Sequence, residues 1–240
     1  MLFPNLDRKN ALALWYLAIF MLVILLIQPI NYRIMRLGAL IFGLVVWGGF
    51  WALFNHKKGV KIAWWFLSVF VLAMILLPGR AVDGNVMRDV YVRELDRYEG
   101  TPYVWGGENR LGIDCSGLVR QGLISANFKQ GLISLNPQLI RNGISLWWYD
   151  AGADALRDEY RNYTRRGAEY ESINQIDYTQ IKPGDMAVST DGEHIFAYQG
   201  NRTWIEADPG FLRVIKVQTP EPNNSWFHVP VYLLHWRQFD

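Results

Sequence analysis

Three long apolar stretches occupy the first third of the chain. Residues 11–30 contain no charged side chain, and a helix of that length spans about 30 Å, the thickness of a bilayer's hydrocarbon core. Residues 37–54 and 62–78 are shorter but still within the spanning range. The pattern predicts a membrane segment of three helices in residues 1–80 and a second domain in residues 81–240.

A secretory signal peptide followed by buried core helices is the alternative interpretation. The first stretch is too long for a signal h-region and has no small-residue cleavage site, and two more stretches follow it. Three transmembrane helices are therefore the favoured interpretation.

The Lys and Arg residues of the short loops predict the orientation of these helices. The N-terminal tail and the loop between the second and third stretches carry five, namely Arg8, Lys9, Lys57, Lys58 and Lys61. The opposite side carries three, namely Arg33, Arg36 and Arg80. Because positive residues are retained inside, we expect a cytoplasmic N-terminus and a C-terminal domain outside.

The remainder of the chain has the pattern of an α+β domain. Residues 85–98 predict an amphipathic helix that buries Val86, Val90, Leu95 and Tyr98. Asp114 is a predicted N-cap for a helix from Cys115 to about Ala126. The Asn136–Pro137 pair signals another helix start, and we expect the charged, helix-rich segment after it to end at Arg166–Gly167. Alternating, strand-like runs follow at residues 185–189, 194–199, 203–207, 212–217 and 226–235.

Charge and cysteine content exclude several classes of function. The net charge is +2 and no run of Lys and Arg is interleaved with aromatic residues, so nucleic acid is not an expected partner. The chain has one cysteine, which excludes an internal disulfide framework and any multi-cysteine metal site. We expect no metal and no organic cofactor.

That single cysteine, Cys115, lies at the predicted N-terminus of a helix. The exposed N–H groups and the helix dipole stabilise a thiolate there, so we expect a depressed pKa for Cys115. A backbone N–H of the same turn is also a candidate donor to an oxyanion. A lone cysteine is more often a small buried hydrophobe, and only the surrounding motifs change that interpretation.

Four ordered segments surround this cysteine in the sequence. They are PYVWGG at residues 102–107, DCSGLV at 114–119, IKPGDM at 181–186 and HIFAYQG at 194–200. From about Val86 to the C-terminus the chain resembles the NlpC-type cell-wall peptidases, a papain-like cysteine peptidase family of bacteria. The resemblance implies a central helix packed on an antiparallel sheet. It also implies hydrolysis of an amide bond in peptidoglycan stem peptides, typically between D-glutamate and a diamino acid.

The resemblance also implies roles for individual residues. Cys115 matches the nucleophile and His194 the general base. The family places a third polar residue about twelve positions after that histidine, and here this position is Glu206. A carboxylate performs the task well, because it accepts the imidazole N–H and fixes the tautomer. Asp208 has the same strand parity and stays an alternative, with turn formation before Pro209–Gly210 as its competing role.

Further positions match residues that the family uses around its substrate. Tyr103, Asp114, Ser116 and Asp208 are the candidate substrate-contacting residues, with core packing, helix capping and turn formation as competing roles. His228 and His235 fall in the predicted terminal strand, where we expect core or rim positions, and His56 flanks a predicted span.

One departure from a minimal family member is an insertion at residues 127–180. It contains Trp147, Trp148 and Tyr149. We expect these aromatic side chains to pack on the core, with a lid over the groove or a face resting on the membrane as alternatives.

The sequence therefore predicts a membrane-anchored cysteine endopeptidase at the outer face of a bacterial plasma membrane. Its expected partners are a peptidoglycan stem peptide and the lipid bilayer. Two other functions stay open: a thiol acyltransferase or lipid amidase on the same fold, and a non-catalytic scaffold. An apolar tunnel beside Cys115 would favour the former, and a polar groove would oppose it. A scaffold requires neither Cys115 nor His194.

Overall fold

The computed structural model describes residues 7–240, and its first three helices form a bundle. These helices are α1 (Arg8–Ile27), α2 (Arg33–Phe54) and α3 (Lys58–Leu76). Each is long and apolar enough to cross a membrane by length and composition. The indole N–H of Trp15 donates to the Val46 carbonyl at 3.0 Å, and that of Trp64 donates to the Trp47 carbonyl at 3.2 Å. These bonds pair the indole N–H groups with carbonyl groups inside the bundle.

The rest of the described chain contains further helices and two sheets. The helices are α4 (Gly84–Asp96), α5 (Cys115–Ile133), α6 (Pro137–Trp148) and α7 (Ala153–Arg157). The strands are β1 (Glu108–Asn109), β2 (Gly112–Ile113), β3 (Thr164–Tyr170), β4 (Met186–Ser189), β5 (Ile195–Gly200), β6 (Thr203–Asp208), β7 (Arg213–Gln218) and β8 (Val231–Trp236). Strands β1 and β2 form a small antiparallel ladder, and the others form one sheet in the order β3-β8-β4-β5-β6-β7. All pairs in that sheet are antiparallel.

Helix α5 packs across one face of the large sheet. Alternate residues of β5, Ile195 and Ala197, join Leu118 and Leu123 of α5 in the main core. Their neighbours Phe196 and Tyr198 join a second apolar cluster on the opposite face. This arrangement confirms the expected fold class, an α+β domain whose central helix lies on an antiparallel sheet.

Local capping signals explain where the helices begin. The Asp114 carboxylate accepts from Gly117 N at 2.6 Å, and Asn136 accepts from Gln138 N at 3.1 Å with Pro137 in the first turn, so both predicted helix starts are confirmed. The predicted end of α5 near Ala126 is wrong. The helix continues to Ile133, because its last turns pack against α6 through Gly131 and Ile140.

Other predictions for buried positions and strands need correction. Val86 is exposed, whereas Met87 and Tyr91 of α4 are fully buried. The predicted strand at 226–235 is a 3-10 helix (Ser225–His228) followed by β8, since Pro230 interrupts the run. His228 is therefore not a strand residue, whereas His235 is. The helix-rich interpretation of the segment that ends at Arg166–Gly167 is wrong at its end, where β3 pairs with β8.

The domain contacts one end of the helix bundle. Arg141 of α6 donates to the Ile75 carbonyl at 3.1 Å, and Arg80 donates to the Ser134 carbonyl at 2.7 Å. Gly79 lies so close to α6 that a Cβ there would be 2.2 Å from Gln138 Cβ. The connection between α1 and α2, at the same end of the bundle, contacts β1.

Candidate active site

Cys115 is the first residue of α5 and is 5% exposed. Its sulfur lies 3.9 Å from the Glu193 carbonyl oxygen, and the backbone N–H of Ile195 also interacts with it. Glu193 and Ile195 flank His194 in the chain, so the fold brings the predicted nucleophile to the backbone of the predicted base. Among residues 7–240 the thiol's hydrogen bond runs to Glu193 and not to the His194 ring.

His194 and Glu206 form a buried pair. The ring precedes β5 and is 1% exposed, whereas Glu206 lies within β6 and is fully buried. His194 Nε2 is 2.6 Å from Glu206 Oε2. The contact engages Nε2, one of the two ring nitrogens. It brings together the ring and the carboxyl group that the sequence analysis paired.

Two residues that the sequence analysis missed complete this arrangement. Trp226 stacks on the His194 ring at a centroid distance of 4.5 Å and an interplanar angle of 18°. Asn224 Nδ2 donates to Glu206 Oε1 at 2.8 Å, while its Oδ1 accepts from Trp226 N at 3.0 Å. An Asn two positions before a Trp is a cap signal that could have revealed the 3-10 helix. The interpretation of this run as a strand concealed it.

Asp208 has a different set of contacts from Glu206. Its Oδ1 accepts from Gly210 N at 2.6 Å and from Phe211 N at 2.9 Å, which closes the turn between β6 and β7. Its Oδ2 accepts from Asn224 Nδ2 at 3.0 Å. Asp208 therefore shares Asn224 with Glu206, but Glu206 is the residue that contacts His194.

Burial favours the uncharged form of each central group. It raises the pKa of Cys115 to about 12, with a smaller contribution from the Asp114 carboxylate. It lowers the pKa of His194 to about 4 and raises that of Glu206 to about 9, to which the charge of Asp208 adds. The predicted depression of the cysteine pKa is therefore wrong, because lost solvation outweighs the helix N-terminus. Because Cys115 keeps its proton at neutral pH, the thiol must lose that proton as it attacks a substrate.

A groove of about 580 Å³ opens beside Cys115. Most of the charged side chains that line it are acidic: Glu108, Asp114, Asp150, Asp154, Asp191 and Glu193, against one cation, Arg120. Ser116 also lines the groove, and its hydroxyl donates to Asp114 Oδ1 at 3.0 Å. Within residues 7–240, no three His, Cys, Asp or Glu side chains are grouped as metal ligands.

The remaining predicted substrate residues lie around this groove. Asp114 Oδ2 accepts from Gly106 N at 2.8 Å, so the capping residue also holds the preceding loop. Tyr103 pairs with Ile113, and burial raises its pKa, with smaller contributions from the nearby carboxylates of Asp114 and Asp208. The insertion also reaches the groove, since Asp150, Gly152, Ala153 and Asp154 form part of its wall. Trp147 packs against the core as expected.

Comparisons with known proteins identify the family of this chain. The model of the NlpC/P60 family matches residues 100–231. Protein P54 from Enterococcus faecium is 51% identical over 37 residues, which are 15% of this chain and 7% of that protein. The matched stretch is thus a small part of that relative.

Several solved structures are similar to this chain at lower identity. The NlpC/p60 domain of the peptidoglycan hydrolase SagA is 24% identical, with 64% of this chain and 99% of that one covered and a TM-score of 0.39. The peptidoglycan hydrolase RipB from Mycobacterium tuberculosis is 20% identical, with 62% and 64% covered and a TM-score of 0.39. NlpC2 from Trichomonas vaginalis is 21% identical, with 65% and 48% covered and a TM-score of 0.41. The family model matches more than half of the residues of this chain. The chain therefore belongs to the NlpC/P60 family.

Proposed function

We propose that this protein is a membrane-anchored cysteine peptidase that hydrolyses an amide bond in peptidoglycan stem peptides. The observation that carries the proposal is the site itself. The only cysteine of the chain lies at a helix N-terminus, beside the backbone of a histidine whose ring is paired with a buried carboxyl group. This is the nucleophile, base and orienting acid of a cysteine hydrolase.

Each residue has a defined role in the proposed reaction. His194 Nδ1 takes the thiol proton as Cys115 Sγ attacks the amide carbonyl carbon, and Glu206 holds the ring through Nε2. The Asp114 carboxylate accepts from Gly117 N. We assign the two preceding backbone N–H groups, those of Cys115 and Ser116, as donors to the oxyanion. His194 then protonates the leaving amine. Water, deprotonated by the same ring, releases the acyl group from Cys115.

The lining of the groove supports a peptidase over a thiol acyltransferase or lipid amidase. An acyl chain requires an apolar tunnel beside the nucleophile, whereas this groove is lined mainly by carboxylates, glycines and a serine. The buried His194–Glu206 pair also argues against a pure scaffold, because binding a peptide requires no buried carboxyl partner for a histidine.

Purified sacculi test this proposal. We expect the full-length protein in detergent to release soluble stem-peptide fragments, and mass spectrometry to identify one cleaved amide bond. The matched control is Cys115→Ala, which removes the sulfur at a buried position and should release none. Sacculi left intact by the wild-type protein, or equal release by both proteins, would refute the proposed activity.

We also propose that the catalytic domain lies outside the plasma membrane. The loop charges support this orientation, and the domain contacts the end of the bundle where α1 and α3 finish and α2 begins. A reporter that is active only outside the cytoplasm, fused after Asp240, should therefore be active. Activity from a cytoplasm-only reporter at the same position would reverse the orientation.

A further inference from the structure

A buried ion cluster joins the second bundle helix to the groove. Arg36 of α2 is 1% exposed, and its Nη2 lies 2.6 Å from Glu108 Oε1. The same oxygen accepts from Arg120 Nη1 at 2.8 Å, and Arg120 is on α5, the helix that begins with Cys115. Asp150, in the groove wall, pairs with both guanidinium groups. We call Arg36, Glu108, Arg120 and Asp150 the arginine–carboxylate cluster.

Hydrogen bonds attach the connection between α1 and α2 to β1. Glu108 N donates to the Pro29 carbonyl at 2.8 Å, and Asn109 Nδ2 donates to the Gln28 carbonyl at 2.8 Å. Ile30 and Gly107 form an isolated antiparallel bridge. The connection between α1 and α2 therefore runs beside β1 like an additional short strand.

The loop before β1 leads from this contact to the nucleophile. Trp105, Gly106 and Glu108 line the groove together with Cys115. Gly106 N donates to Asp114 Oδ2 at 2.8 Å, and Asp114 N donates to the Gly107 carbonyl at 3.2 Å. A displacement of residues 105–108 would thus reach the cap of the helix that carries Cys115.

Several polar atoms of the arginine–carboxylate cluster are buried without a hydrogen-bond partner in the described part of the chain, so the cluster is sensitive to a change in its geometry. Glu108 Oε2 and the Nε atoms of Arg36 and Arg120 are buried, and none has a hydrogen-bond partner among residues 7–240. Arg36 Nη1 also donates to the Trp147 carbonyl in the insertion. Removal of Arg36 would leave a buried carboxylate with one cation instead of two, a change that folded proteins tolerate poorly. Such a change would therefore rearrange the wall of the groove.

We propose that Arg36 is a positioning residue for the peptidase: the connection between α1 and α2 forms part of the groove wall, and Arg36 holds Glu108 and residues 105–108 against α5. Arg36 acts on the substrate through Glu108 and the loop. The inference rests on the proposed function for its kinetic readout. It makes the membrane segment a component of the site and not only an anchor.

Matched arginine variants of the full-length protein in detergent test this inference. Arg36→Gln should lower kcat/KM on stem-peptide substrate at least about tenfold, mainly through KM, because the wall contacts the substrate and the Cys115–His194–Glu206 group does not contact Arg36. The control is Arg33→Gln, which removes the same charge one turn earlier from an exposed position on α2 and should leave both constants unchanged. Arg36→Lys keeps one bond to Glu108 and should give an intermediate KM.

Alkylation of Cys115 gives a second readout that requires no substrate. Because the chain has one cysteine, the rate of iodoacetamide incorporation reports that thiol alone. If Arg36→Gln loosens the groove wall, Cys115 becomes more accessible. Its alkylation should then be at least about threefold faster than in Arg33→Gln. This comparison decides the inference even if wild-type protein fails to cleave sacculi, a result that would refute only the proposed activity.

Equal KM and equal alkylation rates in Arg36→Gln and Arg33→Gln would overturn the inference. Thermal melting establishes whether each variant is folded. If Arg36→Gln does not fold, Arg36→Lys decides: an elevated KM with faster alkylation supports the positioning role, and wild-type values of both refute it.

Discussion

At pH 9, Glu206→Gln should reduce turnover on a stem-peptide substrate by about a thousandfold, and by as much as about 10⁴. Asn224 explains why an amide at position 206 is so harmful. Its Oδ1 is held by Trp226 N, so its Nδ2 faces residue 206 as a donor. The glutamine must therefore turn its oxygen toward Asn224 and its NH₂ toward His194 Nε2. A donor at that position puts the ring proton on Nδ1, the nitrogen that must accept the thiol proton.

Asp208→Asn is the matched control for this prediction. It removes a neighbouring carboxylate from the same strand face, but it leaves the His194–Glu206 contact in place. We expect turnover at pH 9 to stay within about tenfold of wild type, less than 1.4 kcal/mol of barrier. The substituted side chain would present an NH₂ group to the Asn224 Nδ2 donor. Two donors that face each other should lower the free energy of unfolding by about 1–3 kcal/mol. A crippled Asp208→Asn with a nearly normal Glu206→Gln, both folded by circular dichroism, would reverse the two assignments.

The second large effect is on pH dependence: kcat/KM should rise about fiftyfold between pH 7 and pH 9. The pKa of Glu206 is raised to about 9, so below that pH its carboxyl group keeps a proton and donates it to His194 Nε2. The ring proton is then on Nδ1 and the base is inactive. Above that pH the carboxylate accepts from Nε2–H, and Nδ1 becomes the acceptor. The pKa of His194, lowered to about 4, lies too far below neutrality to produce this rise.

Initial rates at low substrate concentration from pH 5 to pH 10 measure this profile. A rise centred near the ordinary histidine pKa of about 6.5, followed by a plateau, would contradict the prediction. Asp208→Asn provides a check on the cause. Because the charge of Asp208 helps to raise the pKa of Glu206, its removal should move the rise to lower pH.

The parts of the site that depend on local signals were predictable from the sequence. An Asp followed by Cys-Ser-Gly and an apolar run specifies a capped helix N-terminus through contacts only three residues apart. The positions of His194 and Glu206 came from family spacing, because strand parity within β6 did not separate Glu206 from Asp208. These features need no knowledge of distant packing.

The missed features all depend on contacts between distant segments. Asn224 reaches Glu206 across 18 positions, and Arg36 reaches Glu108 across 72. An arginine near the start of an apolar stretch has the sequence pattern of an ordinary flanking charge. Strand β3 is mostly exposed and pairs only with β8, so it lacks the apolar alternation by which strands are found. The pKa of Cys115 depends on burial that no local pattern encodes.

The connection between α3 and the domain limits how far the catalytic groove can move away from the helix bundle. The residues after Leu76 are not a tether, because Gly79 is pressed against Gln138 and Arg80 is bound to the Ser134 carbonyl. For the anchored enzyme proposed here, the catalytic groove stays at a constant height above the lipid. Cross-links deep in a thick wall would then be beyond its reach, whereas peptidoglycan strands next to the bilayer would lie within it. Such an enzyme would act on the wall where it is made, and a secreted relative with the same chemistry would act wherever it diffuses.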